Sequence, residues 1–245
     1  MRSAQSLRSA TELERGATDR ALAASDIIVA GTALVLDPSG ALYWPEERAL
    51  IVSDLHLEKG SSFAARGVLL PPFDTTATLD RLTAAVTRYA PRLVIALGDS
   101  FHDGRGPARL AASSRATLTA LQGGCHWLWI TGNHDPEPAD GIGGRFAAML
   151  ALGGLTFRHK PEGSAGEVAG HLHPVARVVV RDHAISRRCF IADRQRLIMP
   201  AFGAYAGGLN VRNGAFADLF ARNFVVHLLG TRRLYALAGA RCLAD

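Results

Sequence analysis

Five short stretches of this chain concentrate residue types that bind metals and move protons. They are Asp54-Leu55-His56, Gly98-Asp99 with His102 three residues on, Gly132-Asn133-His134-Asp135, Arg158-His159, and Gly170-His171-Leu172-His173. In extended backbone, residues two apart point to the same face, so a carboxylate and an imidazole spaced like Asp54 and His56 can hold one ion. His171 and His173 repeat that spacing. A single Asn, Asp or Gly at the end of a strand is ordinarily a turn residue. Asp, His, Asp, Asn, His, His and His delivered in order by five successive strand ends are not explained by turns.

The elements that position these groups can be read from the apolar runs before them. "ALIVS", "LVIAL", "HWLWI", "LTF" and "VAG" each lead into one stretch, and "DIIVAGTALVL", "RVVV" and "RLIM" are further strand candidates. Between them, "DTTATLDRLTAAVTRYA" is predicted as a helix with Asp74 as N-cap and Leu79, Leu82 and Val86 on its apolar face. "GPARLAASSRATLTALQGG" is predicted as a second helix ending on Gly123 and Gly124, and "GRFAAML" as a third, shorter one. After about residue 170 the pattern turns to strands with short polar turns. Strands alternating with helices predict an α/β fold, and open α/β sheets bind ligands outside the carboxyl ends of their strands.

At 245 residues the chain suits one large α/β domain, expected over residues 26–245. Residues 1–25 lack the apolar middle of a secretory signal, and Glu12, Glu14 and Asp19 set them apart from a transit peptide. They are expected to form a mobile or loosely helical extension. No apolar run approaches the roughly 18 residues of a membrane span, so no membrane partner is expected. Cys125, Cys189 and Cys242 are odd in number and far apart, which argues against a disulfide framework or a zinc ribbon and for the cytoplasm.

The net charge of +5 is carried almost wholly by arginine, Lys59 and Lys160 being the only lysines. Arginine presents a planar fork suited to phosphate oxygens. A phosphate-bearing partner and a general arginine bias of the chain explain this charge equally well. The stretch after His173 holds Arg177, Arg181, Arg187, Arg188, Arg194 and Arg196, and Arg187 with Arg188 are candidate contacts to a substrate's phosphates. His126 and His227 are expected to be packing histidines. Asp135 has three open roles: orienting His134, pairing with a cation, or capping a turn.

The order DLH … GDSFH … GNHD … H … GHLH resembles the calcineurin-like metallophosphoesterase superfamily over roughly residues 49–203. That resemblance implies two mixed β-sheets packed as a sandwich, flanked by helices, with two metal ions at one edge. It implies that Asp54, His56 and His173 hold one ion, that Asn133, His159 and His171 hold the other, and that Asp99 bridges them. His134 is implied as the residue that protonates the leaving group or steadies the transition state. His159 rests on its position in "FRHKPEG", and a competing ligand would have to be His183 or His126. Four imidazoles suit Mn, Fe or Zn better than Mg, and Mn is the expected ion.

A narrower resemblance joins "ALYWPEERALIVSDLHLEKGSSFAARGVLLPP" and "LIMPAFGAYAGGLNV" to bacterial ligase-associated DNA-damage-response phosphoesterases, some described as endonucleases. It implies DNA as partner, end processing or endonuclease cleavage in DNA repair, and association with a ligase, a helicase and an exonuclease. "GDSFH" is similar to the segment of double-strand-break repair nucleases that places a His after the bridging Asp, which makes His102 a candidate second catalytic histidine. The alternatives are hydrolysis of a small-nucleotide or lipid pyrophosphate, and an inactive scaffold with the same fold.

Overall fold

Alternation of buried side chains along the strands builds two β-sheets around a shared interior. The structure is a computed structural model and describes residues 25–220 and 223–245. The expected extension lies outside the described residues except for Ser25, which opens the first strand. The first sheet takes its strands in chain order: β1 (Ser25–Val29), β2 (Thr32–Leu36), β3 (Leu42–Trp44), β4 (Ala49–Val52), β5 (Leu93–Leu97), β6 (His126–Ile130) and β7 (Arg145–Ala147). The second contains β8 (Met149–Leu152), β9 (Leu155–Arg158), β10 (Glu167–Ala169), β11 (Pro174–Val180), β12 (His183–Ala192), β13 (Arg196–Ile198), β14 (Leu209–Asn210), β15 (Val225–Leu229) and β16 (Leu234–Ala238). Its main path runs β14-β11-β12-β13-β10-β9-β8, with β15 pairing β12 and β16.

Ile51, Ile95, Leu97 and Ile130 of the first sheet face Phe157, Val168, Phe190 and Leu197 of the second in one buried cluster. The Trp44 and Phe157 rings meet across it with centroids 6.0 Å apart. The alternate residues of the same strands, Leu50, Val52, Val94 and Ala96, face the other way and pack under helices through Leu79, Leu82 and Leu118. Every residue of β4 is therefore buried, which is why "ALIV" reads as an unbroken apolar run. A third cluster with Phe216, Phe220 and Val211 covers the outer face of the second sheet. This is the expected α/β sandwich.

The helices are α1 (Lys59–Ala64), α2 (Asp74–Tyr89), α3 (Gly106–Arg109), α4 (Ala112–Gly123) and α5 (Gly214–Ala217). Three expectations need correction. "GRFAAML" is not a helix: β7 adds in parallel to the edge of β6, and the chain crosses at Ala148 into β8 of the other sheet. Sheet pairing at two edges outweighs a propensity worth only tenths of a kcal/mol per residue. The helix expected from Gly106 breaks at Leu110 and Ala111, both extended, into α3 and α4. Asp74 does not cap α2. It is the first helical residue, and its carboxylate accepts the Gly60 N–H at 3.0 Å, tying α2 to α1.

No helix among the described residues is long and apolar enough to cross a membrane. The three cysteines are free thiols.

Candidate metal centre

The pairs β4–β5, β5–β6 and β9–β10 are parallel, so the carboxyl ends of β4, β5 and β6 lie side by side, as do those of β9 and β10. All five sequence stretches begin at those ends. The backbone there is unusual: Asp54 (φ 52), His56 (φ 43), Asp99 (φ 45), His171 (φ 69) and His173 (φ 46) are left-handed. Such a conformation costs a non-glycine residue on the order of 1–2 kcal/mol and persists only where the surroundings over-determine it. Gly98 shows one cause, since a Cβ there would collide with the His159 ring. A Cβ on Gly170 would collide with Ser53 Oγ, so only glycine lets the loop after β10 lie against the end of β4.

His159 anchors one cluster. Its Nδ1 donates to the Leu97 carbonyl at 3.0 Å, which fixes the tautomer and turns the Nε2 lone pair inward. That Nε2 lies 2.9 Å from Asn133 Oδ1, 3.1 Å from His171 Nδ1 and 3.4 Å from Asp99 Oδ1. Ligands about 2.1 Å from a common ion sit about 3.0–3.4 Å from each other, so these electron-rich atoms are spaced as around a cation. The second cluster is Asp54, His56 and His173. His56 Nε2 lies 3.4 Å from His173 Nε2, and His173 Nε2 lies 3.1 Å from Asp54 Oδ1. The donor set of both clusters therefore fits a pair of divalent transition-metal ions.

Asp99 stands between the clusters. Its Oδ1 faces His159, while its Oδ2 lies 3.9 Å from His56 Nε2 and 3.9 Å from His134 Nε2. One carboxylate thus offers one oxygen to each side. The electrostatics keep the donors ready. Burial pushes the Asp54 carboxyl up, but His173, His159 and the Ser53 hydroxyl together outweigh it and hold it below the usual range. Burial pulls His56 down to about 3 and also lowers His171, so both imidazoles are neutral at neutral pH, as ligands must be.

His134 flanks the centre rather than entering it. Its backbone N–H donates to Asp99 Oδ1 at 2.9 Å, and its Nδ1 donates to the His102 carbonyl at 2.8 Å. Nε2 is left facing the site on a side chain 40% exposed. The His102 ring stacks on it at 5.0 Å, and His102 Nδ1 lies 3.4 Å from His56 Nδ1. Burial, then the charges of Lys59, His134 and Arg66, pull His102 down to about 4. His102 thus touches His134 through both its carbonyl and its ring, and His56 through its Nδ1.

Asp135 resolves to the third of its open roles. Its carboxylate accepts the N–H groups of Ser100 at 2.7 Å, Phe101 at 3.1 Å and Gly132 at 3.1 Å, binding the loop that carries Asp99 to the turn that carries Asn133. Burial, opposed by those hydrogen bonds, raises it to about 6.

Arg188 requires a correction. Its guanidinium is half-buried and donates to the carbonyls of Ala201, Ala204 and Ala206, so it braces the 201–206 loop and is not free for a DNA backbone. Arg187 is exposed and donates to the neighbouring Ser186 carbonyl, on the opposite face of β12 from Arg188. Arg196 donates to the Leu219 carbonyl and Arg177 to that of Ala244. Arg187 and Arg188 therefore do not share one face.

His126 and His183 begin β6 and β12 as exposed residues, and the donor clusters among the described residues contain His159 and neither of them. The packing role expected for His126 is thus corrected. His227 is half-buried on β15. Local sequence gave no sign of the Leu97 carbonyl or the span of Asp135, because these contacts join segments tens of residues apart.

The sequence profile of the calcineurin-like phosphoesterase family matches residues 47–187. Among solved structures, the chain is similar to the nuclease MPE of Pseudomonas putida, with 26% identity, 88% of this chain and 100% of that chain covered, and a TM-score of 0.66. It is also matched, at 15% identity and a TM-score of 0.37, to Yfce, a phosphoesterase from E. coli, over 78% of this chain and 98% of that one. No curated protein matches.

Proposed function

This chain belongs to the calcineurin-like phosphoesterase family, and we propose that within it the protein is a nuclease, hydrolysing phosphate esters of DNA. Metal-dependent phosphoester hydrolysis follows from the family. The narrower reading rests on one observation, the likeness in fold and sequence to a nuclease along that nuclease's whole length. In this reading the protein trims DNA ends or cleaves within strands during repair, alongside a ligase, a helicase and an exonuclease. Manganese is the proposed ion, with Fe or Zn as alternatives.

When bound, a pair of divalent ions neutralises phosphate oxygens and supplies a water-derived nucleophile at neutral pH. Asp54, His56 and His173 would hold one ion, and Asn133, His159 and His171 the other. Asp99, with one oxygen toward each cluster, would be shared between them. His134 is the acid: its Nδ1–H stays on the His102 carbonyl, and Nε2 carries the proton given to the leaving oxygen. The Asp135 carboxylate holds the Asp99 loop and the Asn133 turn in mutual register, so the shared ligand and the acid keep a fixed relation. An inactive scaffold would need neither the aligned lone pairs nor an exposed His134.

The test is parallel hydrolysis, with Mn added, of end-labelled DNA, circular DNA, a nitrophenyl phosphodiester and nucleotide pyrophosphates. Cleavage of DNA in preference to the pyrophosphates is expected, and the circular substrate separates internal from terminal attack. Efficient hydrolysis of pyrophosphates alone would replace this reading with a small-nucleotide one.

A further inference from the structure

Beside His102 and His134, α1 carries an aromatic ring flanked by cations that the hydrolytic chemistry does not use. Arg66 Cζ lies over the Phe63 ring at 4.6 Å from its centroid, and Lys59 Nζ at 5.8 Å. The Phe63 ring lies 5.6 Å from that of His102, which stacks at 5.0 Å on His134. Phe63 is half-exposed and Arg66 exposed. The apolar surface continues past the helix through Leu69, 86% exposed, and Phe73, 65% exposed.

The position of this ledge is fixed by the metal-binding segments. Leu57, next to His56, donates its N–H to the Ser100 carbonyl and accepts the His102 N–H. Glu58, left-handed at φ 63 and buried, accepts from the hydroxyls of Thr75 and Ser61 and so seats the start of α1. The carboxylates around the ledge are already engaged: Asp103 by Arg109 at 2.9 Å through both oxygens, Asp74 by the Gly60 N–H, and Glu58 as above. Lys59 spends one proton on the Tyr205 carbonyl at 3.1 Å, and an ammonium has three. Only Asp103 among these carboxylates is paired with a cation, so the ledge is not positive overall; its donors toward a phosphate chain are the exposed Arg66 and the remaining protons of Lys59.

With Arg66 lying over the Phe63 ring and the Lys59 ammonium beside it, the outer side of the exposed guanidinium is the surface left for a base attached to a phosphate. Bases stack both on aromatic rings and on arginine planes, without regard to sequence. We propose that Phe63 and Arg66, with Lys59 beside them, form a stacking subsite for the base of the nucleotide next to the scissile phosphate. This subsite rests on the nucleic-acid reading of the metal centre. It selects substrates that carry a base at that place over phosphodiesters that do not.

The experiment compares kcat/KM, with Mn, for a thymidylate oligonucleotide and for one of equal length with abasic residues around the cleavage position. Wild-type protein is expected to favour the base-bearing strand by about 5- to 150-fold, the stacking of one base being worth ~1–3 kcal/mol. Phe63→Leu should bring the ratio close to one, and Phe63→Trp should keep or raise it. The ratio is taken within each protein, so a general loss of folding or activity cancels. An unchanged ratio in Phe63→Leu, or equal rates on both strands in the wild type, overturns the subsite alone. Cleavage of a nitrophenyl phosphodiester with neither oligonucleotide cut overturns the nucleic-acid reading and the subsite with it.

Discussion

His134 carries the sharpest chemical expectation at the scale of single residues. Its ring is held by the His102 carbonyl and its Nε2 faces the Asp99 carboxylate. His134→Ala should keep metal binding and lose about 10²–10⁴-fold in kcat on DNA, the range of a general acid. On a nitrophenyl ester, whose leaving group needs no proton, the loss should shrink. Equal losses on both substrates would leave His134 an electrostatic role only. At this scale the sequence was highly informative, because Asp54, Asp99, Asn133 and His171 sit in stretches whose residue types do not suit a core. His159 rested on position alone. The Leu97 carbonyl that turns its Nε2 inward is a backbone atom 62 residues away, which no side-chain pattern encodes. Arg188 misled for a related reason: an arginine in an alternating strand looks free until the carbonyls it bonds are in view.

Elements decide whether these residues meet. The runs before each motif were legible because β4, β5 and β6 are buried on both faces and so keep a nearly continuous apolar sequence. The crossing from β7 to β8 was not legible, since "GRFAAML" has helical composition and only pairing at two sheet edges makes it extended. The loop that follows β5 and the turn that follows β6 are tied together by Asp135. Asp135→Ala removes the acceptor of three backbone N–H groups, so unfolding in denaturant should show a loss of at least about 2 kcal/mol. Weaker metal binding should accompany it, because the Asp99 loop loses its tie. Asp135→Asn, which keeps an acceptor oxygen, should fall between. An Asp135→Ala protein as stable as the wild type would remove this bracing role.

For the whole molecule, the sandwich that positions the site also withholds it from protons. His56 and His102 have folded pKa values of about 3 and about 4, below the ordinary 6.5 of an unfolded chain, because burial disfavours their charged forms. Below about pH 6.5 the unfolded chain therefore takes up protons that the folded one refuses. Stability of the chelated protein should be full above that pH, fall as pH drops toward 4, and stop falling on their account below about 3. Urea midpoints at several pH values would show this, with a shallower fall in His102→Gln. A midpoint constant from pH 7 to 4.5 would contradict it.

The dinuclear centre itself is tested most directly by counting ions. Chelated wild-type protein titrated with Mn, followed by calorimetry and elemental analysis, should bind two ions per chain. Asp99→Ala should lose occupancy at both positions, because one carboxylate faces both clusters. Two-site binding that survives in Asp99→Ala, or a wild-type protein that saturates with a single ion, would contradict the shared-ligand centre.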